Sequence, residues 1–303
     1  MPNLALKIDV DTFRGTREGV PRLAELLQKY EAGASFLFSL GPDHTGRAIK
    51  RVFRKGFLSK VRRTSVVSHY GVGTLLYGTV LPGPDIGKRC AEVMRTVQTL
   101  GFEVGIHTYD HVRWQDHVGK QDASWTRHEI ERARTRFRDI FGGEARVHGA
   151  AGWQMNRHAY RLTQLLGFGY CSDTRGTHPF VPVYHAEVVA CPQLPTTLPT
   201  LDELIGTDGI DQGNVVEHLL DLTRDMPSTG HVFTLHAELE GMKLASLFER
   251  LVQGWQDQGY RLVSLGDYFD ALPDKNLPRH EVITGSVPGR SGTLALQGPP
   301  FLA

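Results

Sequence analysis

The sequence predicts an α/β fold, a parallel barrel in one domain, and three observations carry that reading. Strand-length apolar runs alternate with amphipathic helical stretches as far as Leu272, the pattern of βα units around a parallel sheet. The polar clusters best suited to chemistry stand directly after such runs, where the strand C-termini of a barrel converge on one mouth. The chain has 303 residues, enough for one large α/β barrel or two ordinary domains, and no internal repeat divides it.

The first strand starts at Leu4. Leu4, Leu6, Ile8 and Val10 alternate with Ala5, Lys7, Asp9 and Asp11, a period of two. Asp9 and Asp11 therefore point the same way. Two carboxylates aimed into one site repel, and one is driven toward its protonated form unless a cation sits between them. A metal-assisted hydrolase needs such a pair, one acid to bind the ion and one to handle protons. A turn in which Asp11 and Thr12 cap the next helix is the alternative that this stretch leaves open.

Thr16 to Tyr30 reads as a helix with Val20, Leu23, Ala24, Leu26 and Leu27 on its apolar face, and Pro21 in an early turn where proline is tolerated. Gly33 ends it, and Ala34 to Leu40 is the second strand. The segment from Asp43 to Asp85 then has no carboxylate between its ends while Arg47, Lys50, Arg51, Arg54, Lys55, Lys60, Arg62 and Arg63 lie within it. Ile49, Val52, Phe53, Phe57 and Val61 fall at helical spacing, so 47–63 reads as a basic amphipathic helix suited to an anionic membrane surface. Lys50, Arg51, Phe53, Arg54, Lys55, Phe57, Lys60, Arg62 and Arg63 are the expected membrane contacts, each base contributing about 1 kcal/mol near an anionic leaflet. A solvated basic face that packs its apolar stripe on the protein's own core is the alternative; the missing acidic partners favour the membrane.

A helix over 86–100 leads to a short buried strand, Phe102 to Ile106, that ends in His107-Thr108-Tyr109-Asp110-His111. The His-x3-His spacing brings two imidazoles within reach of one ion. Ser124 to Phe141 is a long charged helix stopped by Gly142 and Gly143. Arg146 to Ala150 is a strand, followed by the loop of Ala151, Gly152, Trp153 and Gln154, and a helix runs from Asn156 to Leu166. The strand Phe168 to Ser172 delivers Asp173 and Arg175. A strand near Val188 to Cys191 leads into the extended Leu194–Thr200, and Asn214 to Arg224 is helical. The strand His231 to Leu235 ends in His236-Ala237-Glu238. A helix over 242–258, a last strand over 260–263 and a helix over 265–272 close the barrel. Proline, glycine and serine then become frequent. The expected organisation is one catalytic domain over 1–287, with the basic insertion at about 43–85, and an irregular tail over 288–303.

A formal net charge of +1 predicts no bulk attraction to nucleic acid. Cys90, Cys171 and Cys191 are widely spaced, with no CxxC pair, which argues against a disulfide framework and fits a reducing compartment. The N-terminus has no basic n-region or long apolar stretch, and no apolar run reaches membrane-spanning length. A cytoplasmic protein, peripheral on the inner membrane, is expected.

Asp9-Val10-Asp11, His107-x3-His111 and Leu235-His236, in that order, resemble the motifs of the NodB-homology polysaccharide deacetylase family, and Asp173 sits where that family places an acid partner. Within the family, the runs Asp9–Gly19, Ala150–Trp153, Ser172–Gly176, Leu198–Gly206 and His236–Gly241 are similar to the branch that deformylates formamido-arabinose on polyprenyl phosphate, and the resemblance covers the chain to about Val287. It implies an irregular (β/α)7-type barrel and a hydrolase of linear amide bonds, acting in lipid A modification and resistance to cationic peptides. It also implies one divalent ion on Asp11, His107 and His111, zinc first, with manganese, cobalt or nickel also compatible. Asp9 would be the base, and His236, charged through Asp173, the acid. Where the family has Arg-x-Pro to orient the base, this chain has Gly152-Trp153-Gln154, which leaves Arg14 and Arg175 as candidates for that task. Arg14, Arg17 and Arg175 are candidate phosphate ligands, with ion pairing inside the fold as the alternative. Trp153 is a candidate sugar platform, Glu238 a candidate contact to the amine, and Glu240 is expected to face solvent. A deacetylase of another N-acyl sugar, or an inactive lipid-sugar binding protein at the membrane, are the rival functions.

Overall fold

A computed structural model describes residues 1–48, 74 and 76–302. The main sheet is built from β1 (Asn3–Val10), β2 (Ser35–Ser39), β3 (Glu103–Thr108), β4 (Val147–His148), β5 (Tyr170–Cys171), β8 (His231–His236) and β9 (Arg261–Val263), all parallel, in the order β5-β4-β3-β2-β1-β8 with β9 also paired to β1. A second, smaller sheet contains β6 (Val181–Tyr184), β7 (Glu187–Val188), β10 (Arg279–Gly285) and β11 (Leu294–Pro300), in the order β11-β10-β6-β7. Helices among the described residues include α1 (Val20–Lys29), α2 (Ala91–Thr99), α3 (His111–His117), α4 (Ala123–Phe141), α5 (Arg157–Leu165), α6 (Leu201–Leu204), α7 (Val215–Leu222), α8 (Ala245–Asp257) and α9 (Leu265–Asp270).

The alternation read in β1 corresponds to two apolar layers. Leu4, Leu6, Ile8 and Val10 join the layer between sheet and helices, where α8 contributes Leu247, Phe248, Leu251, Val252 and Trp255. Each such side chain contributes about 1.5–3 kcal/mol by leaving water. Ala5 faces the other way and packs with Leu37, Val147, Tyr170, Leu194, Val232 and Val263, which fill the inside of the curled sheet. Lys7 and Asp9 follow Ala5 on that inner face. Helix ends follow local chemistry: the Asp122 carboxylate accepts from Trp125 N at the start of α4, and Gly142, at φ 76°, ends it.

The sheet is curled and its edges are joined by irregular chain. Leu194 N donates to Cys171 O (2.7 Å) and Thr197 N to Val232 O (3.0 Å), so the extended segment 194–197 bridges β5 and β8. This is the irregular seven-strand α/β architecture expected from the sequence.

The irregular tail is not what forms. β10 and β11 pair antiparallel, and β10 runs parallel to β6. Proline and glycine density marked the turns of this hairpin and hid its strands. The expected membrane contacts Lys50, Arg51, Phe53, Arg54, Lys55, Phe57, Lys60, Arg62 and Arg63 lie outside the described residues. Among the described residues, no helix is long and apolar enough to cross a membrane.

Candidate metal centre and active site

Three strand ends meet at one cavity. Asp9 lies near the end of β1 and Asp11 directly after it, His107 near the end of β3, and His236 ends β8; His111 is the first residue of α3, capped by Asp110, whose carboxylate accepts from Arg113 N. Asp9 and His236 are register partners on neighbouring strands. The cavity is lined by Asp9, Asp11, His107, His111, Gln115, Gly152, Trp153, Asp202, His236, Leu239 and Arg290.

His107 Nε2 lies 3.2 Å from one Asp11 oxygen and His111 Nε2 3.4 Å from the other. Ligand atoms of all three residues fall within 4.8 Å of one another. Burial would push the Asp11 carboxyl up, but the neighbouring His111 and His107 imidazoles outweigh it and hold Asp11 well below the carboxylate range. Burial pushes His111 below the ordinary imidazole value, toward the neutral form that ligates metals. Among the described residues, Asp9 Oδ1, Asp11 Oδ1 and His107 Nδ1 are buried without a hydrogen-bond partner. An aspartate and two imidazoles with unused lone pairs, close enough to share one ion, fit a divalent metal that retains open positions.

Lys7 orients Asp9. Its Nζ lies 3.2 Å from Asp9 Oδ2, inside the barrel, with the lysine side chain fully buried. Arg14 and Arg175, the candidates from sequence, do not take this part. Arg14 pairs with Glu18 (3.1 Å). Arg175 is buried and donates from Nη1 to both Glu203 oxygens (2.7 and 2.9 Å). The cue for Lys7 was available: a lysine at an inward-facing position of a buried strand needs a counter-ion, and Asp9 is the next residue on that face.

The Asp173–His236 pair is also corrected. Asp173 Oδ1 accepts from Ala150 N (2.8 Å) and lies 2.7 Å from His148 Nδ1, while Oδ2 accepts from Gln193 Nε2 (3.2 Å). Burial would raise Asp173, but the His148 charge and these hydrogen bonds lower it. The acid beside His236 is Asp202, on α6, 3.9 Å from His236 Nδ1. Burial opposes charge on His236, yet Asp202 first and Asp11 next push its pKa up to about 9. Asp202 lies in the run Leu198–Gly206 that carries part of the resemblance, but was not among the candidate site residues. His148, Cys171 and Asp173 also cluster within 4.8 Å, but the carboxylate there is already satisfied by protein donors.

Glu238 and Glu240 are both buried, so neither faces solvent. Glu238 Oε1 accepts from Asp11 N (3.0 Å), Thr12 N (2.7 Å) and Thr12 Oγ1 (2.8 Å), which fixes the loop carrying Asp11 and leaves this oxygen no part in holding an amine. Burial and the Asp11 charge push its pKa up to about 8. Glu240 Oε2 accepts from His236 N (2.8 Å). The Gly15 of Thr12-Phe13-Arg14-Gly15 is required by this contact, since a Cβ there would stand 2.1 Å from Glu238 Oε1. Arg17 stacks over Phe13 and pairs with Glu18, and neither it nor Arg14 lines the cavity. The ion-pairing alternative thus holds for Arg14, Arg17 and Arg175.

Trp153 lines the cavity but is not an open sugar platform, being only 1% exposed. Its indole is surrounded by Lys7 (5.0 Å), Arg175 (5.0 Å) and Arg290 (4.6 Å to the ring centroid), and its Nε1 donates to Thr196 Oγ1. Residue 153 itself adopts φ 53°, an unusual backbone for an aromatic residue and one that such enclosure can hold. Arg290 was missed because the tail was read as irregular. Val287-Pro288-Gly289-Arg290 has the residues of a type II turn.

A curled parallel sheet that gathers carboxylates and imidazoles around one cavity is a site suited to metal-assisted hydrolysis. The chain belongs to the polysaccharide deacetylase family, whose family model matches residues 4–171. A protein from Mycobacterium smegmatis described as a polysaccharide deacetylase shares the fold, with a TM-score of 0.62 at 16% identity, covering 94% of this chain and 96% of that one. More particular likenesses come from curated relatives. The chain is 37% identical over 97% of its length, and 94% of the relative's, to "Probable 4-deoxy-4-formamido-L-arabinose-phosphoundecaprenol deformylase ArnD" of Shewanella sediminis (strain HAW-EB3). It is 30% identical over 93% of its length to the protein of the same name from Wigglesworthia glossinidia brevipalpis, covering 98% of that relative.

Proposed function

We propose that this protein is a metal-dependent amide hydrolase that removes the formyl group from 4-deoxy-4-formamido-L-arabinose carried on undecaprenyl phosphate, releasing formate and the free aminosugar for lipid A modification. The observation that carries the reading is the meeting of Asp9, Asp11, His107, His111 and His236 in one cavity, in a chain 37% identical to a protein named for that deformylation.

A divalent ion on Asp11, His107 and His111 would supply Lewis acidity toward the formamide carbonyl; zinc suits this donor set and manganese, cobalt or nickel are compatible with it. Asp9 accepts a proton from the attacking water, a task that contributes roughly 10²–10⁴ in rate. Lys7 Nζ, 3.2 Å from Asp9 Oδ2, holds that carboxylate turned into the cavity. An amine leaves poorly unless protonated, and His236, held as imidazolium with Asp202 beside it, donates the proton. Glu238 keeps the backbone at Asp11 and Thr12 in place.

The basic segment Lys50–Arg63 supports access to a sugar at headgroup level, and hence a site of action at the cytoplasmic face of the inner membrane. The test offers formamido and acetamido forms of a polyprenyl-phosphate aminosugar with and without chelator. Formate release that stops with chelator and returns on adding back divalent metal is expected. Formate release indifferent to chelator, or acetamide cleaved in preference, would sink the reading.

A further inference from the structure

We propose that Arg290 is the seat of the anomeric phosphate of the substrate, a site built by the turn between β10 and β11 and distinct from the groups that handle the amide. The inference rests on the formamido-sugar reading above and names where the other end of that substrate binds.

Among the described residues lining the cavity, Arg290 is the one whose cation does not depend on pH. Its guanidinium is held but not neutralised. It stacks over Trp153 at 4.6 Å, and its nearest paired carboxylate, Glu203, stands 3.7 Å away, beyond hydrogen-bond distance. Glu203 is already engaged: both oxygens accept from Arg175 Nη1, and Oε2 also accepts from Thr200 N. Asp202 is the other acid near Arg290: burial pushes its carboxyl up, and His236 first and Arg290 next outweigh that and lower it; its Oδ1 accepts from Thr200 Oγ1 (2.6 Å) and lies beside His236. Arg290 therefore keeps N–H donors for a ligand, and a planar guanidinium suits two phosphate oxygens at once.

The position is built into the fold. Arg290 N donates to Val287 O (3.3 Å), closing the turn at Pro288 and Gly289. Gly289 has φ 76°, and a Cβ there would stand 1.9 Å from Glu203 O. Only glycine lets this turn rest on α6, and that contact brings Arg290 to the wall that also carries Asp202. Gln154 Nε2 donates to Thr293 O and ties the same hairpin to the Trp153 loop.

The substrate's shape completes the argument. A pyranose carries its C4 substituent and its anomeric phosphate at opposite ends of the ring. A sugar with its formamide at Asp11, His107 and His111 must send its phosphate to another part of the cavity wall. Among the described residues, the permanent cation on that wall is Arg290.

The test compares a decyl phosphodiester of 4-deoxy-4-formamido-L-arabinose with its neutral methyl glycoside, using metal-loaded wild type, Arg290→Gln and Arg290→Lys. The expected result is that the ratio of kcat/KM, phosphodiester over neutral glycoside, falls tenfold or more in Arg290→Gln and recovers in part in Arg290→Lys. An unchanged ratio, or an equal loss on both substrates, overturns the proposal. If wild type releases formate from neither compound, the deformylase reading fails. The phosphate site is then judged by calorimetry with L-arabinose 1-phosphate, where equal affinity for wild type and Arg290→Gln overturns it and a tenfold loss supports it.

Discussion

Asp9 and His236 are neighbours on paired strands, yet the charged partner of each is a residue that was not among the candidate site residues read from sequence. For Asp9 that residue is Lys7, 3.2 Å away in the barrel interior. Removing one partner of a buried pair leaves an uncompensated charge, at a cost of about 3–5 kcal/mol. Lys7→Met should therefore lower unfolding free energy by that order in denaturant titration and reduce kcat, while Lys7→Arg should restore much of both. A Lys7→Met protein with full kcat would show that Asp9 needs no such support. For His236 the partner is Asp202. The imidazole's ordinary value is 6.5 and the folded one about 9, so the charge adds stability fully below about 6.5 that is lost as pH rises through about 9. Activity that needs the imidazolium should fall over the same range. Asp202→Asn should move the alkaline limb of the kcat/KM profile toward lower pH, and an unmoved limb would remove Asp202 from the assignment.

At the scale of elements, β5 and the segment after it show how a motif residue can serve the framework. Asp173 lies at the end of β5 and is bonded to His148, Ala150 and Gln193, which tie together β4, the Trp153 loop and the stave that bridges the sheet edges. Asp173→Ala should destabilise by several kcal/mol, since it strands buried donors. Its depressed pKa means that the stabilisation is present above about 3.8 and is lost as pH falls through the lower folded value. The folded fraction of Asp173→Ala, titrated by metal content, should keep an alkaline limb like that of wild type. A limb shifted as in Asp202→Asn would restore the Asp173–His236 pairing.

At the scale of the whole molecule, the proposed reaction joins a polar cavity to a lipid-linked sugar. The run of bases without acids over 44–84 is the feature of the chain suited to an anionic surface. Replacing Arg51, Arg54, Lys55 and Arg62 by glutamine should weaken binding to anionic vesicles by roughly 4 kcal/mol at low salt. The loss should shrink as ionic strength rises. Vesicle sedimentation measures it, and binding unchanged by the four substitutions would dismiss this segment as the contact.

The sequence by itself determined the βα order, the inner face of β1 and the strand-end positions of Asp9, Asp11, His107 and His236. Each of these follows from local periodicity, because a strand's alternation says which side chains share a face. The partner of each buried charge was decided only by tertiary structure. Lys7 rather than an arginine beside Asp9, Asp202 rather than Asp173 beside His236, and Arg290 delivered by a hairpin read as tail are all contacts fixed by how distant segments pack. Charge pairing depends on distance in space, and no spacing along the chain encodes which of several acids and bases will share one desolvated pocket.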